Sequence, residues 1–219
     1  MAALSTDLDR DLLLLTTPND TKDAPWMVMA DLQVRGVDVL KSILRYHVER
    51  HHLPWYLASY LKVTMRRGRS NRRLNVAPDL LMVEAPDRLR TSWNVEREGK
   101  PPQFVVEMSS EKSWERDSED KPAIYDAMGV REYAIFAPER RDGGPLLFGY
   151  RRDTAGNFGS WQPDGDGCLV SRELGGLRLY VEAGRWLRAL DEQGQRLPTE
   201  GEEAARLWEE LRRLQGEQR

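Results

Sequence analysis

A single cysteine, Cys168, stands among the 219 residues, so no disulfide forms within the chain and no zinc site is built on cysteine pairs. Cys168 has no matching histidine partner for nucleophilic chemistry and reads as structural. The three histidines are His47, His51 and His52. His47 and His51 have the i, i+4 spacing of zinc ligands on a helix, but Val48 stands where a zinc protease carries its glutamate. No apolar run approaches the roughly 20 residues that span a bilayer, which excludes a membrane helix. The first residues also lack a basic stretch leading into an apolar one, so no signal peptide is expected and the location read from the sequence is cytoplasmic. Excess charge of one sign is missing too. With 33 basic and 36 acidic residues the net charge is −3, so any phosphate contact must come from a local patch.

What is present is a regular succession of apolar segments. Residues 1–25 are polar and mixed and read as an N-terminal arm. From Asp31 to about His51 the positions Leu32, Val39, Leu40, Ile43, Leu44 and His47 recur at helical spacing. Trp55 to Met65 alternates and reads as one strand. Leu80–Val83 and Phe104–Met108 read as buried strands. Ser118 is the expected N-cap of a helix running to Met128, with Pro122 tolerated near its start and Gly129 closing it. Tyr133–Ala137 is a third apolar strand. The order strand, helix, strand predicts a right-handed crossover with Phe104–Met108 and Tyr133–Ala137 parallel neighbours.

Beyond Pro138, short runs at Leu146–Arg151, Phe158–Trp161, Leu177–Val181 and Arg185–Leu190 are separated by Gly, Asp and Pro, the composition of an antiparallel meander. Glu202 to Leu214 places Ala204, Leu207, Trp208, Leu211 and Leu214 on one stripe, an amphipathic helix docked on the domain or on a partner subunit. The expected fold class is α/β (α+β), a mixed sheet flanked by helices, with a C-terminal antiparallel β-meander and a terminal amphipathic helix. The expected division is a main domain over 26–200 and the helix over 201–219.

Carboxylates are rare on buried strands, because burying an unpaired charge is expensive. Asp79 abuts Leu-Leu-Met-Val and Glu107 closes Phe-Val-Val. If those strands are neighbours, the two carboxylates converge at one sheet edge, and hard oxygen ligands there suit Mg²⁺ or Mn²⁺. A strand-end cap or an arginine partner is the ordinary reading for either residue alone.

Pro78-Asp79, the connection, then Glu107-Met108-Ser109 resembles the PD-(D/E)XK nuclease signature. Together with Pro101-Pro102-Gln103, Asp117, Lys121, Tyr125 and Gly129-Val130-Arg131-Glu132-Tyr133, the chain resembles the Uma-type restriction endonuclease family over roughly Leu53 to Leu190. The resemblance implies a restriction-endonuclease-like core and Mg²⁺-dependent (or Mn²⁺-dependent) hydrolysis of DNA; a homodimer is the expected assembly. The resemblance also implies that Asp79 and Glu107 hold the metal, with the Met108 carbonyl as third ligand, and that a lysine assists the attacking water. The usual position of that lysine is Ser109; the Uma-type pattern instead implies Lys121, which shares a helix face with Tyr125 and Met128, and Lys112 is a lesser candidate. A glutamate-bearing turn before the first helix is missing, and Glu49 is the only glutamate within that helix. These departures leave an alternative, a weakly active or inactive relative that binds nucleic acid or serves in assembly. Arg66, Arg67, Arg69, Arg72 and Arg73 precede Asp79 and form the candidate nucleic-acid grip, or else a solvated hairpin tip.

Overall fold

A computed structural model describes residues 31–66 and 73–217. The expected arm over 1–25 lies outside the described residues, as do Arg67, Arg69 and Arg72. Helix α1 (Asp31–His51) follows the helical spacing of the sequence. It is followed by β1 (Trp55–Ser59), β2 (Val63–Arg66), β3 (Arg73–Val76), β4 (Leu80–Glu84), β5 (Trp93–Asn94), a single helical turn α2 (Val95–Glu98) and β6 (Phe104–Met108). A π-helical turn over Arg116–Asp120 runs directly into α3 (Lys121–Met128), and β7 (Glu132–Phe136) follows. The remainder is β8 (Leu147–Arg152), β9 (Phe158–Trp161), β10 (Leu169–Val170), β11 (Arg178–Glu182), β12 (Trp186–Leu190) and α4 (Glu200–Glu217). Among the described residues no helix is long and apolar enough to cross a membrane.

The central sheet has six strands in the order β1-β4-β6-β7-β8-β9. Among the described strands of this sheet β6 and β7 are the one parallel pair, across the helical crossover the sequence implies. Side-chain alternation sorts the sheet into two cores. Leu80, Met82, Phe104, Val106, Ala134 and Phe136 face Val37, Leu40, Ile43 and Leu44 of α1. Leu81, Val83, Val105, Tyr133 and Ile135 face Ile124, Tyr125 and Met128 of α3. These helices therefore cover opposite faces of the sheet, the mixed α and β layering expected of the sequence.

Three local expectations are corrected. Trp55–Met65 is not one strand. Tyr60 adopts φ +56° and donates its N–H to the carbonyls of Pro78 and Asp79, so the chain turns between β1 and β2. β2 then joins a separate sheet in the order β3-β2-β5. Ser118 is not an N-cap. The helical path already begins at Trp114, and the Ser118 hydroxyl donates to the Trp114 carbonyl within it. Ser110 instead accepts the Ser113 N–H, while the Ser113 hydroxyl accepts the Ser110 N–H, a reciprocal cap one turn earlier.

The C-terminal strands are also not one meander. β8 and β9 extend the central sheet, whereas β10-β11-β12 form a third sheet. Asp164 organises the break between them by accepting N–H groups of Asp166 and Cys168. That third sheet buries Leu169, Leu179, Leu187 and Ala189 in the α1 core, so α1 lies between two sheets.

Candidate active site

In the β4–β6 pair Leu80 stands opposite Val106 and Leu81 opposite Val105. Continuing that register by one residue brings Asp79 opposite Glu107. Both share parity with Leu81 and Val105, on the α3 face. Hydrogen bonds hold the pair in place: the Asp79 N–H donates to Glu107 Oε2 at 3.3 Å, and the Met108 N–H donates to Asp79 Oδ2 at 2.7 Å. Like charges facing each other across strands repel, and Glu107 is only 2% exposed. Burying an ion without a counter-ion costs several kcal/mol, so an ionised Glu107 needs a counter-ion, and Asp79 beside it needs a cation or a proton.

One cation is Lys121. At the first turn of α3 its Nζ lies 2.8 Å from Glu107 Oε1 and 2.7 Å from Asp117 Oδ1. Asp117 precedes it by four residues through the π-helical turn, and the wider turn keeps both side chains on the sheet side. Tyr125, one turn after Lys121, donates its hydroxyl to Glu107 Oε1 at 2.6 Å. Tyr133 of β7 donates to the Asp117 backbone carbonyl at 2.7 Å and fixes that turn. The structure thus brings Asp79, Glu107 and Lys121 together and adds Asp117, Tyr125 and Tyr133. The i, i+4 spacing of Asp117 and Lys121 was the sequence signal for the first of these.

The electrostatics leave a deficit of positive charge around Asp79. Burial, then the neighbouring Glu107, pushes its pKa up to about 8 against the partial relief of Lys121 and the Met108 N–H. Burial also raises Glu107, opposed by Lys121. For Lys121, burial favours the neutral amine, but Glu107 and Asp117 outweigh it and the pKa rises. Lys121 is therefore an ammonium at neutral pH.

The donors at this edge are all oxygens: two carboxylates and the Met108 carbonyl. Asp79 Oδ1 takes no hydrogen bond among the described residues, whereas Oδ2 does. The Met108 carbonyl accepts Nε2 of Gln33, from the first turn of α1, at 3.0 Å, and keeps a second lone pair. No three His, Cys, Asp or Glu side chains gather in metal-ligating geometry among the described residues. Two carboxylates and a carbonyl fit Mg²⁺ or Mn²⁺, which keep several waters, better than zinc or calcium.

Gln33 escaped sequence reasoning, since nothing in its neighbours distinguishes it from an exposed helix residue. Glu49 and Lys112 are exposed and have no place in this cluster. Ser109 is buried, its N–H bonded to the Phe136 carbonyl and its hydroxyl 3.5 Å from that of Ser113. Arg66 and Arg73 face each other at the outer end of the β2–β3 hairpin, both exposed. The His47 and His51 rings lie 4.6 Å apart on α1, and among the described residues no third metal-ligating side chain joins them.

The family model of Uma2, whose description is "Putative restriction endonuclease", matches residues 31–182 of this chain. No curated protein matches it. The matched span runs from α1 to β11 and contains every residue of the cluster.

Proposed function

The chain belongs to the Uma2 restriction-endonuclease family, and from that premise we propose that it is a metal-dependent endonuclease cutting DNA at the Asp79–Glu107 edge. The observation carrying the proposal is the mutually opposed carboxylate pair, Glu107 buried and Asp79 partly buried, with the Lys121 ammonium on Glu107 and with Asp79 Oδ1 taking no hydrogen bond among the described residues. The family supports a nuclease acting on nucleic acid; the metal, the residue roles and the choice of DNA are our reading.

Asp79, Glu107 and the Met108 carbonyl are the residues that would hold Mg²⁺ or Mn²⁺. Such an ion, when bound, polarises a phosphate and lowers the pKa of a coordinated water. Gln33 orients the Met108 carbonyl by donating to it. Tyr125 fixes Glu107 Oε1. Lys121, kept protonated by two carboxylates, serves as a fixed positive charge toward the charge that develops on the phosphorane, and orients the attacking water rather than deprotonating it. Asp117 is a positioning residue that holds that ammonium. Lys121 thus takes the role that Ser109 cannot fill.

The test is nicking of supercoiled plasmid with Mg²⁺ or Mn²⁺ by the wild type, Asp79→Ala and Lys121→Ala. Wild-type nicking that falls at least about a hundredfold in both variants supports the reading. An inert wild type, or variants that cut equally well, overturns it in favour of a binding or assembly protein.

We further propose a homodimer through α4, with 26–200 as the nuclease domain and 201–219 as the dimer arm. Leu207, Trp208, Leu211 and Leu214 are 46%, 65%, 49% and 51% exposed, an uncovered stripe in 3–4 spacing with Ala204. Parallel pairing sets Glu203 and Glu210 of one protomer opposite Trp208 and Gln215 of the other, whereas antiparallel pairing opposes the glutamates. Sedimentation of Leu207→Asp/Leu211→Asp should give a monomer from a wild-type dimer; a wild type that is already monomeric refutes the arm.

A further inference from the structure

The sheet β3-β2-β5 has two unlike faces. Val63, Leu74, Val76 and Trp93 point inward and are buried beside α3. The register puts Thr64 opposite Asn75 and Asn94, and Arg66 opposite Arg73, so the other face carries only polar side chains. Nδ2 of Asn94 donates to the Thr64 hydroxyl at 3.1 Å, which ties the strands across that face.

Above this floor runs an open trough of ≈ 680 Å³ with Lys62, Arg66, Arg73 and Arg97 along it. Its one carboxylate, Glu96, already accepts the Arg66 backbone N–H. Four cations less one carboxylate give +3 along this trough, in a chain whose net charge is −3. Among the described residues no carboxylate pairs with Lys62 or Arg73, and Arg97 approaches Glu98 only at 3.7 Å.

The trough also has a direction. Tyr60, two residues before Lys62, is bonded to the carbonyls of Pro78 and Asp79. Lys62 therefore marks the end nearest the carboxylate pair and Arg66 the far end, about 13 Å away at ~3.3 Å per strand residue. A single nucleic-acid strand carries one phosphate per about 3.4 Å of helix axis, so this length spans several phosphates.

We propose that this trough is the track of the nucleic-acid backbone leading to the Asp79–Glu107 edge, with Lys62 and Arg97 as phosphate contacts alongside Arg66 and Arg73. It rests on the nuclease reading only for the direction of the track. A row of cations over small polar groups, with no aromatic side chain among the described lining residues, suits contact with the phosphate backbone, which is independent of sequence.

The experiment is fluorescence anisotropy of a labelled 20-base-pair duplex with the full chain in EDTA, where no hydrolysis occurs, across a salt series. The double variant Lys62→Gln/Arg97→Gln should bind at least about tenfold more weakly, and the slope of log affinity against log salt should shrink by about 1.8, since each phosphate contact contributes about 0.9. Arg206→Gln, on α4, is the control and should leave both unchanged. Equal affinity and slope in the double variant, or no wild-type binding, overturns the proposal. Binding that follows this pattern in a chain that never nicks plasmid keeps the track and discards the nuclease; nicking with an unaffected double variant does the reverse.

Discussion

Replacing Asp79 with asparagine separates the cost of the site from its use. Asp79 ionises at about 8 in the folded chain against an ordinary 3.8. Between roughly pH 4 and 8 the folded protein therefore keeps a proton that the unfolded chain has released. Folded protein binds more protons over that window, so stability falls as pH rises through it. At pH 7 about three units of the window have been crossed, which sets an upper bound of about 4 kcal/mol at ~1.4 kcal/mol per unit. The asparagine amide carries no charge and retains an oxygen for the Met108 N–H. Metal-free Asp79→Asn should therefore be more stable than the wild type by about 2–4 kcal/mol at pH 7, and by little at pH 4. Urea denaturation in EDTA at pH 4, 5, 6, 7 and 8 measures this, the wild-type minus variant difference removing other titrations. Added Mg²⁺ should stabilise the wild type and leave the variant unchanged. A variant less stable than wild type at pH 7, or a difference flat with pH, would show that Asp79 holds no such proton.

Lys121→Met leaves Glu107 and Asp117 buried without their counter-ion; it should lower stability by about 3–5 kcal/mol at pH 7, measured by the same denaturation, and abolish nicking. Tyr125→Phe removes the hydroxyl donated to Glu107 at 2.6 Å and should cost about 1–3 kcal/mol; an unchanged urea midpoint would deny that bond. Gly149 packs so closely on β7 that a Cβ would lie 2.1 Å from the Tyr133 backbone oxygen. Gly149→Ala should therefore destabilise by about 1–3 kcal/mol or more, and near-wild-type thermal unfolding would contradict that packing.

Much of the fold was legible because its signals are local. Leu80–Glu84, Phe104–Met108 and Glu132–Phe136 are short apolar strands with a Gly129-capped helix between the last two, and chain handedness then sets the parallel pair. The split at Tyr60 was not legible, since a left-handed tyrosine is imposed by carbonyls of Pro78 and Asp79, distant in sequence. Nor was the parting of the last strands into two sheets, because β-propensity says nothing of which edge a strand joins. At the candidate site, Asp79 and Glu107 stood out as carboxylates on apolar strands, and Lys121 came from the family resemblance; the structure brings the three side chains together. Gln33 did not stand out, because among the described residues its link to the cluster is a bond to a backbone carbonyl 75 residues away. The trough was half visible: the arginines before Asp79 stood out, while Lys62 and Arg97 join them only through the register of three strands.

The claim that Asp79 and Glu107 together hold one divalent ion is tested most directly by titrating the protein with Mn²⁺ and following free Mn²⁺ by electron paramagnetic resonance. The wild type should bind one tight Mn²⁺ per chain, lost in both Asp79→Asn and Glu107→Gln, with Mg²⁺ competing. No bound Mn²⁺ in the wild type, or binding retained when either carboxylate is removed, would contradict it.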